Sequence, residues 1–150
     1  MIAIGPAREN DADWCARLME STDPWITLGR RYEECLARLT HPEYTLLVAR
    51  RESGEPVGFM LLHPRGLAGS PYLASIAVAP DARGQGLGHL LLERAEAEFP
   101  SARSIFLLVS SFNQRAFALY QRLGYQRVGE IPGYSLETAS EIIMYKRLSR

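Results

Sequence analysis

The chain has 150 residues, 47% of them apolar and 23% charged, enough for one globular domain with a proper core and too few for two comfortable ones. Seventeen basic side chains balance seventeen acidic ones, so no global field recruits nucleic acid or an anionic membrane, although a local basic patch can still hold a small polyanion. The opening MIAIGPAREND turns polar too soon for a signal peptide, and no uncharged run approaches the roughly 18 apolar residues of a membrane span. Cys15 and Cys35 stand apart in segments that both read as helical, with no C-x-x-C and no Cys/His cluster. Neither a zinc site nor a disulfide framework is suggested. The expectation is one domain over residues 1–150, cytoplasmic and without a metal.

Along the chain, residues 11–20 place Trp14, Cys15, Leu18 and Met19 on one face of a helix. Pro24 then keeps Asp23 out of helical geometry. Residues 28–39 repeat apolar side chains at Tyr32, Cys35, Leu36 and Leu39, which predicts a second amphipathic helix. From residue 43 the period changes. Residues 43–51 and 56–62 flank the turn Ser53-Gly54-Glu55 and predict a hairpin. Residues 72–78 (YLASIAV) are small and almost continuously apolar, as suits a central strand covered on both faces. Residues 87–99 carry Leu87, Leu91, Ala95 and Phe99 four apart, a helix packed on a sheet. A strand over 104–109, a helix over 113–123 stopped by Gly124, and a pair of strands over 125–131 and 141–145 complete the pattern. With an N-terminal strand the order is β, α, α, three β, α, β, α, two β. Consecutive strands pair antiparallel and the central strand–helix–strand pairs in parallel. The fold class is therefore α+β, a mixed and mostly antiparallel twisted sheet of about seven strands with helices on both faces.

Between the central strand and its helix lies RGQGLGH, residues 83–89, with three alternate glycines. The first turn of a helix has unpaired N–H donors and a partial positive charge, and glycine lets a phosphate oxygen approach that backbone. Arg83 adds a cation at the rim. The spacing is not that of a P-loop, because His89 and Leu90 stand where Lys and Ser/Thr are needed. It is not a dinucleotide fingerprint either, since His89 or Leu91 replaces the third glycine. Close packing of helix and strand is the competing explanation for these glycines.

Arg83-x-x-Gly86-x-Gly88, after a strand that ends Ala-Val-Ala-Pro-Asp, resembles the acetyl-CoA pyrophosphate turn of the GNAT N-acetyltransferase superfamily. A second block, Asn113-x-x-Ala116-x-x-Leu119-Tyr120-x-x-Leu123-Gly124-Tyr125, resembles that family's helix after the fifth strand, and SEIIMYKRL its last strand. The resemblance covers residues 43–148. It implies the GNAT acyl-CoA N-acyltransferase fold and direct transfer of an acetyl group from acetyl-CoA, as co-substrate, to a primary amine. It places the pyrophosphate on Arg83, Gly84, Gln85, Gly86, Gly88 and His89, and the pantetheine arm along Ile76, Ala77 and Val78. Asn113 reaches the pantetheine or caps its helix. Tyr120 matches the tyrosine beside the sulfur, where a phenol protonates the departing thiolate; its place in the stripe Ala116, Leu119, Tyr120, Leu123 also makes it a packed ring.

The strand over 72–78 lacks the carboxylate that many relatives carry there, and only Tyr72 and Ser75 are polar. A base must then come from elsewhere through water, with Glu33, Glu34 or Asp23 as candidates. An α-amine of pKa ~8 is about one-tenth neutral at pH 7, a cost of about 1.4 kcal/mol, against about 4.6 kcal/mol for a lysine-like amine of pKa ~10.4. A weak base therefore favours an α-amine or another low-pKa amine. By the resemblance, residues 23–27 and 132–135 shape the acceptor pocket, with Trp25, Glu33, Tyr72 and Tyr134 as candidate walls. The partner is a small-molecule amine or a peptide, with neither nucleic acid nor membrane, and a homodimer is the quaternary alternative to a monomer. Two further readings stand beside this one, a peptide or protein N-terminal α-amino acetyltransferase of the ribosomal-protein-modifying type and a catalytically silent acyl-CoA-binding module. His63, in Leu-His-Pro, reads as a turn residue.

Overall fold

A computed structural model of the chain describes residues 1–148. The elements are β1 (Ile2–Pro6), α1 (Asp11–Glu20), α2 (Tyr32–Leu39), β2 (Thr45–Arg51), β3 (Pro56–Leu67), β4 (Ser70–Val78), a 3-10 turn (Pro80–Ala82), α3 (Leu87–Ala97), β5 (Ser104–Ser110), α4 (Gln114–Arg122), β6 (Gln126–Pro132) and β7 (Ser140–Arg147). The strands form one seven-stranded sheet in the order β1-β2-β3-β4-β5-β7-β6. Only β4 and β5 pair in parallel; every other neighbouring pair is antiparallel. The α+β class, the mixed sheet and the strand count agree with the sequence pattern. No helix among the described residues is long and apolar enough to cross a membrane.

Each face of the sheet has its own core because the strands alternate their side chains. On one face Leu87, Leu91, Leu92 and Ala95 of α3, with Tyr120 of α4, pack on Met60, Leu73, Leu107, Val109 and Met144. On the other, Cys15, Ala16 and Met19 of α1 and Cys35 and Leu39 of α2 cover Val48, Phe59, Leu61 and Ala77. Both cysteines are buried and unbridged. Burial raises the Cys15 thiol far above its ordinary pKa, so it packs as a neutral apolar group.

Two elements differ from their sequence pattern. The second helix starts at Tyr32, not at residue 28, because residues 24–30 close a turn of their own. Leu28 N donates to the Pro24 carbonyl at 2.9 Å and Arg30 N to the Trp25 carbonyl at 3.0 Å. The Asp23 carboxylate accepts from Thr27 N at 3.0 Å, and Arg31 is extended with its N–H on Glu34 at 2.9 Å, so the helix begins just after it. Strand β3 runs on to Leu67 instead of ending at residue 62, although its register breaks between His63 and Leu67. Pro64 brings no N–H to a ladder, and such residues sit at irregular edges. Gly66 lies in this stretch, where an added Cβ would come within 2.7 Å of the Tyr72 Cβ.

One irregularity shapes everything near the C-terminal ends of the parallel strands. Leu61 pairs with Ser75 but Leu62 pairs with Leu73, which leaves Ala74 as an extra residue in β4. Such a bulge bends and twists its strand. The parallel pairing of β4 with β5 consists of Tyr72 with Phe106 and Leu73 with Leu107, and stops where the bulge begins. Residues 74–78 therefore lean away from residues 108–110.

Leu91 is fully buried between α3 and the sheet, in the helix that seats the glycine turn. Leu91→Ala should lower the unfolding free energy by about 2–5 kcal/mol, the usual range for a leucine cavity, measured by urea denaturation.

Candidate active site

The splay between β4 and β5 opens into a cavity of about 600 Å³. Leu73, Ala74, Ser75 and Ile76 line one side and Leu107, Leu108, Val109 and Ser110 the other. Asn113, Tyr120, Trp25, Tyr72 and Tyr134 also line it. In an open α/β arrangement, the crevice outside the carboxyl ends of parallel strands is where ligands bind.

The glycine turn follows directly from β4. Gly84 and Gly86 both have φ +77°, a left-handed conformation that a side chain would strain, and Gly86 is the N-cap of α3. Gly88 has a different reason: a Cβ there would lie 3.3 Å from the Leu119 side chain, so it allows α3 and α4 to approach closely. Packing and exposure of the turn are thus divided among the three glycines. The backbone amides of Gly84, Gln85, Gly86, Leu87, Gly88 and His89 make no hydrogen bond within the described chain, and the first helical bond is Leu90 N to the Gly86 carbonyl at 3.2 Å. Both α1 and α2 carry acidic residues in their first turns, but α3 carries none. Its dipole is therefore left uncompensated where those amides converge, which suits an anion. Arg83 is exposed and folds back to donate from Nε to the Val78 carbonyl at 3.2 Å. His89 is exposed and lies 3.8 Å from Glu93 on the next turn. Ile76, Ala77 and Val78 pair with β3 on one side and have no partner strand on the side facing β5.

Asn113 caps α4, its side-chain oxygen accepting from Ala116 N at 3.4 Å, and it also lines the cavity. Of the two roles left open by the sequence, the capping one is observed. Tyr120 is 6% exposed and tilted against Tyr125, with ring centroids 6.1 Å apart. The Tyr125 hydroxyl donates to Glu96 at 3.2 Å, whereas the Tyr120 hydroxyl has no partner within the described chain. Among the described residues no buried side-chain oxygen or nitrogen is left sealed without a partner, so the Tyr120 hydroxyl opens on the cavity that its ring lines. Burial pushes its pKa above the ordinary phenol value, which keeps it protonated and a donor.

Tyr72 is buried and Trp25 half-buried at the cavity wall, while Tyr134 is 65% exposed. Trp25 also packs on the core beneath α1 and α2. Of the carboxylates considered from sequence, Glu33 is exposed and does not line the cavity; its neighbour Glu34 does. Asp23 is engaged by both the N–H and the hydroxyl of Thr27, which hold its carboxyl below the usual range. His63 lies outside the cavity, its Nδ1 accepting from Arg65 N at 3.0 Å.

The sequence reading missed Glu141. It is the second residue of β7, paired with Ser110 of β5 and Ile131 of β6, and only 8% exposed. Its carboxylate lines the cavity and accepts a hydrogen bond from the Ser110 hydroxyl at 2.7 Å. No cation lies within ion-pair distance of it among the described residues. A carboxylate seldom sits buried without a cation, and its place in the apolar run SEIIMY was the available signal. Arg30 and Arg38 were missed as well; both line the cavity.

Comparison with known proteins bears on this arrangement. Residues 10–125 match the model of the acetyltransferase (GNAT) family. The chain is 33% identical over 135 residues to the peptidyl-lysine N-acetyltransferase YjaB of Escherichia coli (strain K12), covering 86% of this chain and 85% of that one. It is also 33% identical over 135 residues to the N-alpha-acetyltransferase RimI of Mycobacterium tuberculosis (strain ATCC 25618 / H37Rv), covering 85% and 80%. Its fold superposes with a TM-score of 0.78, at 19% identity and 98% coverage of both chains, on a GNAT family acetyltransferase from Elizabethkingia anophelis with acetyl-CoA bound. With the family model matched across most of its length, the chain belongs to the GNAT family and is an acetyl-CoA-dependent acetyltransferase acting on an amine.

Proposed function

We propose that acetyl-CoA lies in the β4–β5 splay with its pyrophosphate on the amides of residues 84–89, and that a primary amine attacks the thioester directly beside Tyr120. The observation that carries this reading is the path from the unpaired turn amides, along the edge of Ile76 to Val78 that has no partner strand and where only the Val78 carbonyl is met by Arg83, to an unpartnered tyrosine hydroxyl. Backbone donors and acceptors without partners are costly unless something polar satisfies them. The edge offers both, as an arm carrying amide groups requires.

Acetyl-CoA brings an activated acyl carbon. Gly84 and Gly86 keep the turn open, Gly88 seats it against α4, and Arg83 adds a cation at its rim. The wall of Leu107, Val109 and Ile76 excludes water from the reacting end. The C–N bond forms as the C–S bond breaks; an acceptor bound as ammonium loses one proton to become nucleophilic and a second on acylation. Tyr120 returns a proton to the sulfur, and its raised pKa keeps that proton available through the neutral range. Its packed ring holds the hydroxyl in place. Asn113 fixes the start of α4 and hence the position of Tyr120 two turns on. The buried free cysteines suit a reducing, cytoplasmic setting.

Overall identity does not identify the acceptor, since the two relatives at 33% identity are named for different amines. We read the acceptor as a primary amine of the α-amino type, less basic than a lysine side chain, because β4 supplies no carboxylate base of its own.

The reaction is tested by free-thiol release from acetyl-CoA with a panel of amino acids, peptides and polyamines. Tyr120→Phe keeps the packing and should lower kcat about 100-fold at saturating acceptor with CoA affinity unchanged; unchanged turnover would remove the acid role. With the wild type, kcat/KM should rise with pH as the acceptor ammonium deprotonates. No decline from Tyr120 should appear below about pH 10, because burial moves its titration upward from the ordinary phenol value.

Gly86→Ala places a side chain at φ +77° with open space around it, so its effect is backbone strain and blocked approach, not a clash. Calorimetric titration with CoA should show at least about tenfold weaker binding, equivalent to the roughly 1–2 kcal/mol of a left-handed residue.

A further inference from the structure

Two opposite charges line the cavity with Tyr72, which is buried near the start of β4, beside Phe106 of β5. Arg38 of α2 holds its guanidinium 5.5 Å over the Tyr44 ring, and Glu141 of β7 pairs with Ser110, four residues along β5 from Phe106. Burial raises the Tyr72 phenol's pKa, the charge of Arg38 opposes the rise, and Tyr44 and Glu141 add to it. Arg38 has no carboxylate within ion-pair distance among the described residues, and neither does Arg30, which also lines the cavity. Glu34, one helical turn before Arg38 on α2, places its carboxylate on the Arg31 N–H at 2.9 Å.

Position separates the Tyr72 end of the cavity from the donor. Tyr72 is six residues from Val78, roughly 20 Å at a strand rise of about 3.3 Å per residue. A guanidinium beside Tyr72 is thus too distant to serve phosphates held on residues 84–89. It is held ready for another anion, and guanidinium prefers carboxylate or phosphate in a planar, bidentate geometry.

Resting on the acetyl-transfer reading above, we infer that this end of the cavity is a subsite for a zwitterionic acceptor, a small primary amine that also carries a carboxylate. Glu141 receives the ammonium and Arg38, with Arg30 behind it, receives the carboxylate. Glu141 is then the first proton acceptor: the ammonium passes one N–H proton through that carboxylate to solvent and keeps the freed lone pair for the acyl carbon. Charge on the pair is balanced when the acceptor is bound, because each unpaired protein charge meets its opposite. The rim residues Trp25 and Tyr134 supply apolar surface for the remainder of the acceptor.

The test is kcat/KM for matched acceptors in the thiol-release assay: a free α-amino acid, its carboxamide, and a peptide with a lysine side chain. The carboxamide has the more easily deprotonated amine, so chemistry alone favours it. A preference for the free acid of about tenfold or more is expected. Arg38→Gln should reduce that ratio to near one, and Arg38→Lys should retain part of it. Glu141→Gln should lower kcat/KM for both acceptors by at least about tenfold. Each variant is checked for an unchanged melting temperature and CoA affinity. Equal or better turnover of the carboxamide or the lysyl peptide by the wild type overturns the zwitterion subsite. So does an equal loss for both acceptors in Arg38→Gln. If no amine releases thiol although CoA binds, the acetyl-transfer reading itself fails, a result distinct from either.

Discussion

The site depends on a row of backbone hydrogen bonds that is missing. Strands β4 and β5 are paired only at Tyr72–Phe106 and Leu73–Leu107, and the extra residue at Ala74 turns β4 aside immediately afterwards. A sheet gains nothing by leaving strands apart unless another group takes their place, because buried amides and carbonyls need partners. The gap is kept open by the cores on either face. Leu91 and Leu92 hold α3 against one side, and Phe59 and Leu61 fix β3, and through it β4, against α1 and α2 on the other. Sheet register thus creates the cavity, and the cavity positions the chemistry.

The two ends of that cavity are built from different materials. In the proposed complex the donor is held by backbone, the amides of residues 84–89 and the open edge of residues 76–78, with glycines placed so that nothing obstructs them. The acceptor is there held by side chains drawn from distant parts of the chain, Arg38 from α2, Tyr72 from β4 and Glu141 from β7. Backbone recognition is shared by any chain with this fold and these glycines. Side-chain recognition can be altered residue by residue without disturbing the sheet. This division explains how relatives of equal identity bear the names of different amine acceptors.

It also explains what was legible in the sequence. Turn, strand and helix lie within residues 72–99, so their periodicity and glycine spacing are local signals, and Asn113 with Tyr120 forms another within one helix. Glu141 is different: it is central only because β7 inserts between β5 and β6, a pairing that residues 140–147 do not announce by themselves. The helix α2 shows the limit of phase. Its turn at residues 24–30 shifts the start to Tyr32, and one residue is about 100° around a helix, so Glu34 faces the cavity where Glu33 does not. Periodicity found the helix but could not find which neighbour it faces.

The central claim is that the unpaired backbone of β4 and the glycine turn is the donor site. Amide hydrogen exchange, read residue by residue with and without CoA, tests it most directly. The account predicts slowed exchange at residues 84–89 and at Ile76 and Val78 on CoA binding, with the amides of β1 and β2 unchanged. Binding of CoA with no protection in these two segments, or with protection confined elsewhere on the sheet, would contradict it.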